Sequence, residues 1–142
     1  MIAVDSNLLV FAHRREAALH SKALAAITDL AEHPGNWAIP WPCVHEFYAV
    51  VTSTKCRPAS TIRQAWAMIE SLTSLHNVRL LGEGVDHLTY LKRLIDAGKV
   101  MGGMIHDAKI AAICLAHGVD ELWTADRDFS RFPDLKTRNP LV

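Results

Sequence analysis

Four short, mainly apolar runs, Ile2–Val4, Trp37–Ile39, Val78–Leu81 and Glu121–Thr124, constrain the fold of this chain more than any other feature. Three or four residues are too few for a helix, and a run that is apolar at successive positions has no face to offer water. Such runs are buried strands. Between them apolar residues recur every third or fourth position: Leu24, Ile27, Leu30 and Ala31, then Ile62, Ala65, Trp66, Ile69 and Leu72, then Leu88, Leu91, Leu94 and Ile95. These are amphipathic helices. Strands covered on both faces and alternating with helices predict an α/β fold of three layers, α/β/α, with a short, mainly parallel central sheet.

The punctuation fits this division. Pro34-Gly35 stops the first long helix, Ser60 is placed to cap the helix of Trp66, and Gly98 and Gly118 follow helical stretches as C-terminal stops. Met101-Gly102-Gly103-Met104 reads as a flexible approach to the helix of Asp107, and Phe132–Val142 as a last short strand or an irregular end. With 142 residues and neither repeat nor linker, the chain is expected to be one domain, residues 1–142. Lys and Arg number 15 against 15 for Asp and Glu, so a nucleic-acid partner would need a local patch, not a global field. No run approaches a membrane span and MIAVDSN meets a charge too early for a signal peptide, so the expected location is cytoplasmic, without a membrane partner. Cys43, Cys56 and Cys114 lack CxxC spacing and read as buried thiols of a reducing compartment.

Four acids stand at costly places. Asp5 follows the first apolar run, Glu46 lies in the helix after the second, Asp107 falls in the first turn of a later helix, and Asp126 follows the last run. A carboxylate beside an apolar sheet costs free energy unless it is hydrogen-bonded, paired or bound to metal. Ligands of open α/β sheets gather at the carboxyl ends of the strands, so four acids from distant segments can meet in one cleft. Oxygen-only donors of this kind suit Mg²⁺ or Mn²⁺, not zinc.

These residues resemble the PIN-domain ribonuclease pattern and, more narrowly, the VapC toxins of bacterial toxin–antitoxin systems. The opening Val4-Asp5-Ser6-Asn7, the helix glutamate Glu46, the helix-start Asp107 and the closing Thr124-Ala125-Asp126-Arg127-Asp128-Phe129 match the family's four motifs in order. The resemblance implies a PIN-like fold and Mg²⁺- or Mn²⁺-dependent hydrolysis of RNA, with a cation-activated water attacking phosphorus in line. It makes Asp5, Glu46, Asp107 and Asp126 the catalytic and metal-binding set, Glu46 being either a ligand or the group that deprotonates the water. Asp128 would bind a second cation or cap the turn at Arg127. Ser6, Asn7 and Thr124 would support the carboxylates by hydrogen bonds or serve as caps.

His106, adjacent to Asp107, could touch a phosphate but reads first as a solvent-facing residue at the helix start. Arg14, Arg15, Lys55, Arg57, Lys92, Arg93 and Lys99 are candidate phosphate contacts that read mostly as solvated charges. Among the tryptophans, Trp37, Trp66 and Trp123 read as core or interface, and Trp41 as a possible stacking surface.

The resemblance also implies a cognate antitoxin and a homodimer. Trp66 and Met68, about 200° apart on one helix, cannot both face the core, which leaves one for a partner. Leu8, Leu9, Phe11, Phe47 and Val51 could supply a groove for an antitoxin helix, with an Arg reaching the acids, although most of them read as core. The competing readings are a PIN-like binding module without activity and a phosphoryl-transfer domain of receiver or phosphatase type. The phosphatase requires a second acid where Asn7 stands, and His45-Glu46 has Ala49 where a zinc hydrolase requires its second His.

Overall fold

The computed structural model describes the whole chain, Met1–Val142. Its elements run β1 (Ile2–Val4), α1 (Ser6–His13), α2 (His20–Glu32), β2 (Trp37–Pro40), α3 (Trp41–Thr52), α4 (Ile62–Thr73), β3 (Val78–Leu81), α5 (His87–Gly98), α6 (Ile105–Ala116), β4 (Glu121–Trp123) and β5 (Thr137–Arg138). The five strands form one sheet in the order β3-β2-β1-β4-β5, and every pairing is parallel. Helices flank this sheet: α1 packs on α2 and α3, α3 on α4, and α5 on α6. All four residues of β2 are buried, as a strand covered on both faces requires. The chain leaves β1 toward β2 and β3 on one side and reaches β4 and β5 on the other. The carboxyl ends of β1 and β4 therefore border the switch point, where open α/β sheets form a crevice.

Trp37, Phe47, Phe129 and Phe132 are the largest fully buried side chains. Truncating one of them to Ala would cost about 3–5 kcal/mol, from lost burial and the cavity left behind. Trp37 Nε1 donates to Asn77 Oδ1, and Asn77 Nδ2 donates to the carbonyls of Leu30 and His33, so one buried amide ties the end of α2 to the sheet. The C-terminal segment supplies a strand: Thr137–Arg138 pairs with β4, and Leu141 is buried. No helix is long and apolar enough to cross a membrane.

Several local expectations are corrected. Thr61, not Ser60, caps α4, because Gln64 completes a reciprocal capping box with it. Gly98 is the last residue of α5, and Lys99 takes the left-handed step at φ 49°. Glycine suits position 98 for another reason: a Cβ there would come within 3.3 Å of the Phe132 ring. Gly118, at φ 69°, follows α6 as anticipated. Residues Gly102–Met104 form a 3-10 turn leading directly into α6, not a loose approach.

Leu8, Leu9, Phe47 and Val51 are fully buried, the core role expected for most of that set, and only Phe11 is part-exposed. Arg14 is 7% exposed, not a solvated charge. Cys43 and Cys114 are buried, but Cys56 only partly. Trp66 is 54% and Trp41 41% exposed, whereas Met68 packs against the core.

Candidate active site

The backbone N–H of Asp5 donates to the carbonyl of Trp123 at 3.0 Å, extending the β1–β4 ladder to the strand ends. Asp5 is then the N-cap of α1: its backbone is extended and its Oδ1 accepts the Ser6 N–H at 2.7 Å. The positive end of the helix favours a negative charge there. Its other oxygen, Oδ2, accepts the Thr124 hydroxyl at 2.7 Å and Asn7 Nδ2 at 3.2 Å. Thr124 Oγ1 accepts in turn from Asn7 Nδ2 and from the Asp126 N–H, and Asn7 Oδ1 accepts the Ala125 N–H. Ser6, Asn7 and Thr124 thus lace the start of α1 to the loop after β4. Cys43 on α3 places its thiol 3.5 Å from Asp5 Oδ1, and burial keeps that thiol protonated by pushing its pKa well up.

Asp126 caps the 3-10 turn Arg127–Arg131 by accepting the Asp128 N–H at 2.8 Å. The capping anticipated as one role for Asp128 therefore belongs to Asp126. Asp107 lies in the first turn of α6, and Glu46 lies one turn before Val50 on α3. Asp5, Glu46, Asp107 and Asp126 line one cavity of about 170 Å³, together with Ser6, Asn7, Val10, Phe11 and Val50. Asp128 is exposed at the rim, where its carboxylate oxygen lies within 4.8 Å of those of Asp107 and Asp126. His106 is exposed, and no Lys or Arg lines the cavity.

The electrostatics follow from this crowding. Burial, then repulsion from Asp126, Asp5, Asp128 and Glu46, raises the Asp107 pKa to about 6. Burial raises that of Asp5 despite its donors, and burial followed by the Asp5 charge raises that of Glu46. A set of oxygen donors with raised pKa values and no local cation fits a hard divalent ion, which removes the repulsion among them. The Asp107, Asp126 and Asp128 trio has the spacing to share such an ion, and Asp5 and Glu46 line the same cavity.

Val10 was not anticipated as a lining residue, although it lies one turn from Ser6 and Asn7 on α1. The Cys43 contact left no sequence signal, since it joins two helices through a packed core.

Comparison with known proteins gives the chain a family and a fold. A family profile described as PIN domain matches residues 2–135. Ribonuclease VapC48 of Mycobacterium tuberculosis is 31% identical over 137 residues, covering 96% of this chain and 94% of the relative. Ribonuclease VapC43 of the same organism is 31% identical over 142 residues, covering 99% and 96%. Among solved structures, VapBC2 from Rickettsia felis bound to a promoter DNA fragment aligns with a TM-score of 0.71 at 20% identity over 98% of each chain. The sarcin-ricin-loop-cleaving toxin VapC20 of Mycobacterium tuberculosis aligns at 0.68 and 20% identity, over 92% and 93% of the two chains. At these identities the structural matches speak for the fold.

Proposed function

The chain belongs to the PIN-domain family, and on that footing we propose that it is a divalent-metal-dependent endoribonuclease toxin, folded as one domain and neutralised by a cognate antitoxin. The observation that carries the reading is the cavity at the β1/β4 switch point, into which four elements each bring a carboxylate. Names of relatives 31% identical over nearly the full chain support a ribonuclease. The fold match to a toxin–antitoxin complex from Klebsiella pneumoniae is in keeping with an antitoxin partner.

Asp107, Asp126 and Asp128, together with Asp5, would hold Mg²⁺ or Mn²⁺. When bound, the cation supplies Lewis acidity at the phosphoryl oxygens and makes a water acidic enough to attack. Asp5, locked by Ser6, Asn7 and Thr124, gives the site a fixed reference position. Glu46 is only partly withdrawn from water and has a raised pKa, which suits a group that accepts a proton from the attacking water and passes it on to the leaving oxygen as the P–O bond breaks. Val10, Phe11 and Val50 form the apolar wall against which a ribose or base rests, and they offer an antitoxin helix the only apolar surface of the cavity. Self-association is assigned to the α3–α4 face, where Trp41, Tyr48 and Trp66 border a groove of about 610 Å³.

Purified chain incubated with RNA in Mn²⁺ should cleave it, stop in EDTA, and lose activity in Asp107→Asn. Cleavage that persists in EDTA, or an unaffected Asp107→Asn variant, would rule the reading out. Sedimentation at micromolar concentration should show a species heavier than the 15.8 kDa monomer, and Trp66→Arg should return it to monomer.

A further inference from the structure

The cleft poses a problem for its own substrate. Five carboxylates surround or border the reaction site, no basic side chain lines it, and the chain as a whole carries no net charge. One divalent cation offsets only part of that repulsion, so a polyanion needs an anchor elsewhere.

One helical turn beyond Val10, on the stripe that begins at Ser6, stands Arg14. It is 7% exposed and borders a second groove of about 770 Å³ at the far end of α1, shared with His13, Arg15, Ser60 and Thr61. Its Nε pairs with Glu16, and its Nη1 reaches Ser60 Oγ only at 3.5 Å. The remaining N–H groups of the guanidinium find no acceptor in the protein. These nitrogens are not sealed from solvent, since the one buried side-chain nitrogen left without a partner is His87 Nδ1, so the free donors of the guanidinium fork open on the groove.

The surroundings favour an anion. Ser60 Oγ is held at 2.8 Å by His13 Nε2, Arg15 is exposed at the rim, and the loop leading to Ser60 carries Arg57. Glu16 is the one acid in this groove, and it is half in solvent. Along α1, Arg14 lies about 14 Å from Asp5, with the apolar Val10 and Phe11 between them. That spacing suits a single strand whose reacting phosphate is at the acids and whose later phosphate is at the fork.

Building on the nuclease reading, we propose that Arg14, with Arg15 and Ser60, forms a phosphate-binding subsite that holds the RNA backbone a few nucleotides from the bond being cut. The guanidinium takes the phosphate bidentately, as its planar geometry allows and an ammonium's does not. The subsite positions substrate and takes no part in the chemistry.

The test uses the full chain and labelled single-stranded RNA long enough to cross both grooves, with anisotropy read in the non-cleaving Asp107→Asn background. Arg14→Gln should weaken binding about tenfold and flatten the salt dependence by about 0.7 in the logarithmic slope. Arg14→Lys should recover the slope but not the full affinity, and Arg15→Ala should show a smaller loss. In chains with Asp107 intact, a dinucleotide offering only one phosphodiester should be cleaved equally by wild type and Arg14→Lys, while the longer RNA loses kcat/KM. Melting curves identify any variant that fails to fold, in which case Arg14→Lys and Arg15→Ala decide.

Folded variants that bind long RNA with unchanged affinity and slope overturn the subsite while leaving the nuclease intact. A wild-type chain that cleaves nothing but binds RNA through Arg14 sinks the nuclease and keeps the subsite. Loss of antitoxin binding with RNA binding unchanged reassigns the fork to a protein carboxylate and overturns the proposal.

Discussion

The two walls of the acid cleft are built on opposite principles. Asp5 is 3% exposed, yet both its oxygens are occupied by donors from Ser6, Thr124 and Asn7, so its position is set whether or not a cation is present. Asp107, Asp126 and Asp128 lie nearer to water, within 4.8 Å of one another, and no protein cation offsets their charge. The first wall is a scaffold assembled on folding. The second stores repulsion that a metal would release. A site can therefore be preorganised at one edge and responsive at the other, with hydrogen bonds fixing the reference point and electrostatics providing affinity.

Activity should be the most sensitive reporter, and on it the walls should not differ. Asp5→Asn and Asp107→Asn should each lower RNA cleavage in Mn²⁺ by about a thousandfold or more, since either removes charge from the group that stabilises the phosphoryl transition state. Steady-state cleavage of a labelled RNA checks this, and a tenth of wild-type activity in either variant would break the account.

Stability should separate the walls. At Asp5 the replacement amide would put an N–H₂ where only donors point: Ser6 N–H on one side, Asn7 Nδ2 and a Thr124 hydroxyl already accepting twice on the other. Asp5→Asn should therefore cost about 1–2 kcal/mol in metal-free protein, measured by urea unfolding. Thr124→Val should cost about as much, because it orphans the Asn7 amide and the Asp126 N–H. These losses would show that the scaffold rests on its hydrogen bonds.

The pH dependence sharpens the contrast. With a folded-state pKa of about 6 against a usual 3.8, Asp107 is destabilising when ionised. Below pH 4 it is protonated in both states and contributes nothing. The penalty grows between pH 4 and 6 and is complete above 6, so Asp107→Asn should stabilise metal-free protein at pH 7.5 by about 1 kcal/mol, discounted for the solvent that still reaches the carboxyl. The gain should vanish at pH 4 in paired urea titrations. For the same reason, Mn²⁺ should bind more weakly at pH 5 than at 7.5, because protons compete for Asp107. Asp128→Asn, at the exposed rim, should give the smallest change: a few-fold in Mn²⁺ affinity by calorimetry, with stability near wild type.

Much of this was legible in the sequence because burial leaves a pattern. Unbroken apolar runs such as Trp37–Ile39 declare a covered parallel strand, and the acids after β1 and β4 stand out because charge is costly at such places. What escaped depended on partners distant in sequence. Ser60 resembled a cap, but Thr61 had Gln64 three residues on. Gly98 resembled a helix stop, but its lack of a Cβ is explained by Phe132, 34 positions away in the sequence. That Phe11, and none of Leu8, Leu9, Phe47 and Val51, stays partly open emerged only once the helices were packed. Arg14 looked like one charge among many, because nothing in Arg-Arg-Glu tells which arginine turns inward.

The central claim is that Asp107, Asp126 and Asp128 are held against their own repulsion for a divalent cation. Thermal melting of wild type and Asp107→Asn at pH 7.5, first in EDTA and then in saturating Mn²⁺, tests it directly. Asp107→Asn should melt above wild type in EDTA and below it in Mn²⁺, since a ligand that binds only the native state stabilises it by mass action and wild type binds it better. If the order of the two proteins is the same in both conditions, the acids are not a metal site and the account is wrong.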